Sequence, residues 1–356
     1  MKINFIVPFI GLTGGIKIAF EYANRLNERG HDVLIYVPIV AYKFNEHGFL
    51  GEFKRIKASL GNIKRGNKVK WFNLKVHIKL VPFISNNFIR DADVTIATAW
   101  PTAYSLNDLN DDKGEKIYLI QHYEIWSGPK QLVDNSYRLP LKHIVIAKWL
   151  KDLMLTEFNR NDSEIIYNGI DFNEFNNENK KTNKVKTITM LYHELEWKGF
   201  KDGLEAFELV KKKIPNLNLV LFGLDKVADV PNYAKYYLKP SKVELNKIYS
   251  SSDVFIFPSR KEGWGLTPIE AMACKCAVVG TDTGAMHEVG INEKNALISK
   301  PENVYELANN LERILSDDIL LESISFEGYK TALQFSWEKS IDKFEKIICK
   351  NNGDLI

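Results

Sequence analysis

The stretch EGWGLTPIEAMACKCAVVG, Glu262 to Gly280, places a glycine-flanked tryptophan and a proline between two acids, Glu262 and Glu270. Proline suits the first turn of a helix, where its missing N–H has no partner to lose, and Thr267 before it is a good N-cap. A helix starting here aims free N–H groups, with an effective charge of about +0.5, at whatever lies before it. Gly263 and Gly265 let the backbone approach a ligand without Cβ interference. Glu262 stands ahead of the helix, and Glu270 is expected in its first turn, facing the same opening. A diphosphate near the helix start fits this pattern, with the carboxylates accepting hydrogen bonds from sugar and ribose hydroxyls. The same letters also suit a capped core helix with Glu270 as a dipole-friendly acid.

Working outward, short runs rich in Val, Ile and Phe alternate with stretches of helical spacing. Before the quoted helix lie KTITMLYH, a helix over about 200–213, NLNLVLFG, a helix over about 242–250 and DVFIFPS; CAVVGT follows it. The N-terminal half repeats the alternation. INFIVPF reads as a strand, a helix runs over about 15–29, and HDVLIYVP, DVTIATA, KIYLIQH and KHIVIA follow as strands; TEFNRNDSEIIYNGIDFNEF reads as a last strand followed by an exposed connection. Strands separated by helices of this length favour parallel sheets. The polar run NNENKKTNKVK, 176–186, reads as a linker, and a final helix over about 337–350 is expected to cross back onto the first half. The expectation is two Rossmann-like α/β domains, 1–170 completed by 337–356, and 171–336, whose strand ends share a ligand cleft.

The bulk numbers fit a folded enzyme. The chain has 356 residues, enough for about two domains, and is 45% hydrophobic. A net charge of +3 with 26% charged residues speaks against a nucleic-acid partner. No apolar run approaches the roughly 20 residues that span a bilayer, and MKINFIVPFI leads straight into a glycine loop, as a buried strand does and a signal peptide does not. The three cysteines, Cys274, Cys276 and Cys349, point to a reduced, cytoplasmic setting, the first two as small core residues. Asp91-Ala92-Asp93 matches a metal-binding D-x-D by letters only.

EGWGLTPIEAMACKCAVV resembles the E-x7-E signature of the retaining glycosyltransferase family 4, the glycosyl transferases group 1, which have the two-domain GT-B fold. YNGIDFNEF, Tyr167 to Phe175, resembles the interdomain segment of that family, Gly14-Gly15 its N-terminal glycine pair, and FSWEKSI, Phe335 to Ile341, the start of its returning helix. The resemblance implies a nucleotide diphosphate-sugar donor, no cofactor and no metal, and transfer of a hexosyl or deoxyhexosyl unit to a glycan, lipid-linked or protein acceptor with retention of configuration, of the bacterial surface-polysaccharide kind. It implies that Glu262 holds the transferred sugar and Glu270 the ribose, with Trp264, Gly265, Leu266 and Thr267 along the diphosphate and sugar. Gly14 and Gly15 would meet the diphosphate through the backbone, Lys198 would grip it, and His122 in LIQHYE would stand beside the reacting sugar.

Departures from the family pattern matter too. Members carry an arginine where this chain has His193, and Lys275, Ala277 and Ala285 replace a usual Gly, Pro and Gly. A protonated imidazole supplies both a hydrogen bond and a charge, so donor affinity is expected to weaken with rising pH. Two other readings keep the same fold: a nucleotide-sugar epimerase or phosphorylase, and a non-catalytic homologue. The stretch between Lys54 and Lys79 holds nine Lys or Arg residues with no acid and Trp71-Phe72 in its middle, either a solvated face or a contact for an anionic membrane.

Overall fold

The computed structural model describes residues 1–42, 57, 59–61, 68–177, 180–181, 183–226 and 230–349. The chain divides into two compact units, Met1–Tyr167 together with everything from Ser340 onward, and Asn168–Lys339. In the first unit the elements run β1 (Lys2–Ile6), α1 (Gly14–Glu28), β2 (Asp32–Pro38), β3 (His77–Val81), β4 (Val94–Ala97), α2 (Trp100–Asn107), β5 (Glu115–Ile120), α3 (Lys130–Ser136), β6 (Lys142–Val145), α4 (Lys148–Phe158) and β7 (Glu164–Ile165). They form one parallel sheet ordered β3-β2-β1-β4-β5-β6-β7. Central strands are buried on both faces, which is why they read as unbroken apolar runs rather than alternating ones.

The second unit holds β8 (Thr187–Tyr192), α5 (Phe200–Lys213), β9 (Asn218–Gly223), β10 (Ala234–Leu238), α6 (Lys242–Ser251), β11 (Val254–Phe257), α7 (Leu266–Ala273), β12 (Ala277–Thr281), α8 (Ala285–Val289), β13 (Leu297–Ser299), α9 (Val304–Ser316) and α10 (Asp318–Ala332). Its sheet, also parallel, is ordered β10-β9-β8-β11-β12-β13. The core lies between this sheet and α5, α9 and α10, around Phe207, Val210, Leu311 and Ile324.

The final helix, α11 (Trp337–Cys349), packs in the first unit from Ser340 on. The Phe344 ring lies 5.0 Å from that of Tyr22, Arg29 pairs with Asp342 and Glu345, His31 with Glu345, and the Lys142 ammonium bonds the Ile347 carbonyl. The polar run 176–186 is not where the units part. Asn177 and Lys180 donate to the Ser250 and Ser252 carbonyls, and Asn183 binds Asp253, so its described residues belong to the second unit.

Three strands that the sequence pattern did not suggest, β3, β10 and β13, stand at or near sheet edges, where partial exposure breaks up the apolar run. Of the basic stretch, Lys54, Arg55, Lys64 and Arg65 lie outside the described residues. Trp71 stacks on Phe20 of α1 at 5.6 Å, so the aromatic pair belongs to the unit's packing, while Lys75 pairs with Glu28 and Lys79 lies over Tyr36. Asp91 is taken by Lys113, and Asp93 accepts the Lys2 backbone N–H, so both have structural partners. Among the described residues no helix is long and apolar enough to cross a membrane.

Candidate active site

In open parallel sheets ligands bind beyond the strand C-termini where the strand order reverses. In the second unit that point lies between β8 and β11, and the two loops leaving these strands are His193 to Gly199 and Pro258 to Gly265. The loops are fastened to each other. The N–H groups of Arg260 and Lys261 both donate to the Trp197 carbonyl, and the Arg260 guanidinium grips Asp202 of α5 with two bonds of 2.8 Å.

Gly199 makes the crossing possible. It sits at φ 66°, and a Cβ there would come within 1.9 Å of the Pro258 carbonyl oxygen. Only glycine tolerates both the backbone angle and the approach. This turn brings the Lys198 ammonium to 2.5 Å from Glu262 Oε1, which also accepts from the Ser259 hydroxyl at 3.3 Å. The pair is mostly enclosed, with side-chain exposures of 22% and 11%, so its attraction is less screened than that of a surface pair.

His193 leaves the end of β8. Its Nδ1 accepts the Leu195 N–H at 3.1 Å, which places the proton of the neutral ring on Nε2. Burial, then the Lys198 ammonium, hold it below the usual imidazole range. The neutral imidazole thus offers one N–H donor and no charge.

Helix α7 begins earlier than its proline implied. Gly265 is the N-cap, no side chain caps the first turn, and Leu266 is the first helical residue. Glu270 therefore lies one turn deeper and is buried, 4% exposed, with its Oε2 accepting from the Tyr249 hydroxyl of α6 at 3.2 Å. Tyr249 is fully buried, and burial together with the adjacent carboxylate keeps its phenol protonated. Trp264 presents its backbone rather than its ring to the loop surface: the indole is buried beside Phe335, and its carbonyl accepts the Ala285 N–H. Gly284, at φ 54° and ψ −129°, would place a Cβ 2.5 Å from that same carbonyl. Gly265, Leu266 and Thr267 are half-buried at the helix start. His193, Lys198, Glu262 and the α7 terminus all stand at the ends of β8 and β11, with Glu270 inside, behind the helix start.

The first unit carries the remaining three residues. Gly14 and Gly15 open α1 behind the N-cap Thr13, and the Gln121 amide donates to the Gly15 carbonyl at 3.1 Å. Among the described residues, a Cβ on Gly14 would meet nothing within 4 Å and one on Gly15 only the Gln121 amide at 3.4 Å, so packing does not demand glycine at either position. His122 follows β5, its ring edge-on to Trp126 at 4.2 Å and to Trp149 at 5.6 Å. Two residues further on is an acid that the motifs passed over, Glu124, whose carboxyl is pushed up to about 7 by burial. An acid set among aromatic residues just past a strand-end histidine was the available signal.

Residues 171–331 match the family profile "Glycosyl transferases group 1", and this stretch contains the Lys198–Glu262 site. The second unit thus matches the group 1 glycosyltransferases. Over 98% of its length the chain is 24% identical to an uncharacterized glycosyltransferase of Haemophilus influenzae, covering 99% of that protein. It is 25% identical to the capsular polysaccharide biosynthesis glycosyltransferase CapM of Staphylococcus aureus, over 60% of this chain and 61% of CapM. Among solved structures, Anabaena Alr3699/HepE in complex with UDP-glucose superposes with a TM-score of 0.73 over 98% of this chain and 99% of its own, at 15% identity. The two parallel-sheet units are those of the GT-B fold.

Proposed function

We propose that this glycosyltransferase transfers a hexosyl or deoxyhexosyl unit from a nucleoside diphosphate-sugar to a glycan, lipid-linked or protein acceptor, with retention of configuration. The observation that carries the reading is the Lys198–Glu262 pair in front of the uncapped α7 start. It supplies a cation and free N–H groups for a diphosphate beside a carboxylate for sugar hydroxyls. The UDP-glucose complex of the Anabaena protein supports a donor of this class.

In this reading the bond from the anomeric carbon to the diphosphate oxygen breaks, and its electron pair stays on that oxygen. Lys198, the His193 Nε2–H and the α7 terminus meet the growing charge. The acceptor oxygen bonds to the same face of the anomeric carbon, and its proton passes to the departing phosphate. Glu262 orients the sugar, Glu270 takes the ribose, and Gly14 and Gly15 leave room for backbone contact with the diphosphate. Glycine at two positions where packing does not ask for it fits that role. Peripheral contact with an anionic membrane through the 54–79 stretch belongs to the same reading, and sedimentation with anionic liposomes tests it.

A thermal-shift panel of UDP-, GDP-, dTDP- and ADP-sugars tests the donor. One nucleotide is expected to raise Tm by roughly 5–10 °C at about a hundred times its Kd. Lys198→Ala is expected to abolish that rise, and a panel without any shift removes the reading. Proton NMR of the first-formed product decides retention.

A further inference from the structure

The loop 121–128 follows β5 and carries His122, Ile125 and Trp126, with Glu124 at its centre. Glu124 Oε2 accepts the backbone N–H of Trp100, the first residue of α2, at 2.8 Å. The Trp100 indole N–H donates to the Ser127 hydroxyl at 3.1 Å, and that hydroxyl donates to the Glu124 carbonyl at 2.9 Å. On the other side the Glu124 N–H donates to the Tyr137 hydroxyl, which donates in turn to the His122 carbonyl, both at 3.2 Å. Gly128 lies so near Trp100 that a Cβ there would come within 2.6 Å of the indole. Between these ties, Ile125 and Trp126 remain 41% and 45% exposed.

We infer that Glu124 is a positioning residue: its carboxyl group clamps the loop to the start of α2 and so fixes the His122 ring and the exposed Ile125–Trp126 pair. The inference rests on the reading above, in which His122 stands beside the reacting sugar. Its chemistry is local. A carboxylate on the first N–H of a helix is favoured by the helix dipole, whereas burial favours the uncharged acid. The balance leaves Glu124 titrating at about 7. The titratable groups facing it are the phenols of Tyr118 in β5 and Tyr137 beyond α3, both pushed far up by burial and so uncharged at neutral pH. Above neutrality the clamp is a charge-assisted bond to Trp100; below it, a weaker neutral one.

Glu124→Gln keeps an acceptor for the Trp100 N–H and removes the titration, while Glu124→Ala removes the clamp. Tryptophan fluorescence of the full-length protein, followed from about pH 5 to 9, needs no substrate. The wild type is expected to show a midpoint near neutrality that Glu124→Gln lacks; the same midpoint in Glu124→Gln overturns the inference. The second readout is release of nucleoside diphosphate from whichever of UDP-glucose, GDP-mannose, dTDP-rhamnose or ADP-glucose stabilises the protein, with water as acceptor. Glu124→Gln should keep kcat within about threefold and lose the neutral inflection, and Glu124→Ala should lose about 10- to 100-fold in kcat with donor KM unchanged. A folded Glu124→Ala with wild-type kcat also overturns it. Turnover of none of the four donors, with the fluorescence midpoint present only in the wild type, speaks against the functional reading and not against the clamp.

Discussion

The two sheets share a strand order through their first six strands yet furnish their C-terminal edges in opposite ways. In the second unit the ends of β8 and β11 present opposite charges bound to each other, Lys198 and Glu262, beside a helix start with no side-chain cap. In the first unit the ends of β1 and β5 present two glycines and a histidine edged by tryptophans, tied down by a half-buried acid. A mostly enclosed cation and carboxylate side by side can each make a charge-assisted hydrogen bond with a ligand in place of the other, which suits a diphosphate-sugar. A loop locked by several part-buried hydrogen bonds is hard to rearrange and suits the positioning of a neutral hydroxyl.

The largest expected effect tests the charged edge. Glu262→Ala should lower transfer by about 10³-fold while the nucleoside diphosphate alone binds at least as tightly, because the substitution frees Lys198. Wild-type turnover in this variant would take the donor site away from β8 and β11. Glycines sharpen the comparison next. Gly199→Ala forces a Cβ into the Pro258 carbonyl at a left-handed φ and should cost about 3 kcal/mol of stability, read as a lowered Tm. Gly14→Ala meets nothing among the described residues and should change stability by no more than about 0.5 kcal/mol, yet weaken donor binding. If both variants lose the same stability, the glycines of the two edges do the same work and the contrast fails.

How far the sequence reached follows the same division. Buried strands such as Val254–Phe257, and a helix with a continuous apolar stripe such as Phe200–Lys213, were legible because a single periodicity governs each. Edge strands were not: in AKYYL no residue is fully buried, so no clean pattern is written. The start of α7 was misplaced because proline is tolerated throughout a first turn and marks a neighbourhood rather than a residue. Glu270 consequently moved from the mouth of the helix to its interior. Motif spacing singled out Lys198 and Glu262 but not that they bond to each other, because 64 residues separate them and only the Gly199 turn brings them together. Lys275 shows the reverse: it stands at φ 54° just past α7, a left-handed backbone that suits the glycine which the family pattern leads one to expect there.

A smaller effect probes what lies behind the charged edge. Tyr249→Phe deletes the hydroxyl that holds Glu270 Oε2 and leaves the packing against Phe222 and Phe255 in place. If Glu270 takes the ribose, donor KM should rise about tenfold, roughly 1.4 kcal/mol, at constant kcat. A fall in kcat at constant KM would instead make Glu270 a transition-state group.

The smallest effect concerns His193, where the family pattern that the sequence resembles has an arginine. In the free protein its pKa is lowered, so the unfolded chain holds more protons, and this residue's contribution to stability is lost as pH falls below the ordinary value of 6.5. A bound diphosphate pulls the other way and raises the pKa, so binding takes up a proton. Donor affinity should therefore fall as pH rises from the free to the bound pKa and stay level above it, where the neutral Nε2–H is the only donor left. Because the free value starts low, the slope lies mostly on the acid side of neutrality, with a total change of about two- to fivefold. Isothermal titration with the nucleotide-sugar avoids the phosphate ionisation of the free diphosphate and isolates this slope. His193→Gln should flatten it and His193→Arg should remove it while tightening binding. A slope that survives in both variants would belong to another group, and the charged edge would then rest on Lys198 and the helix start alone.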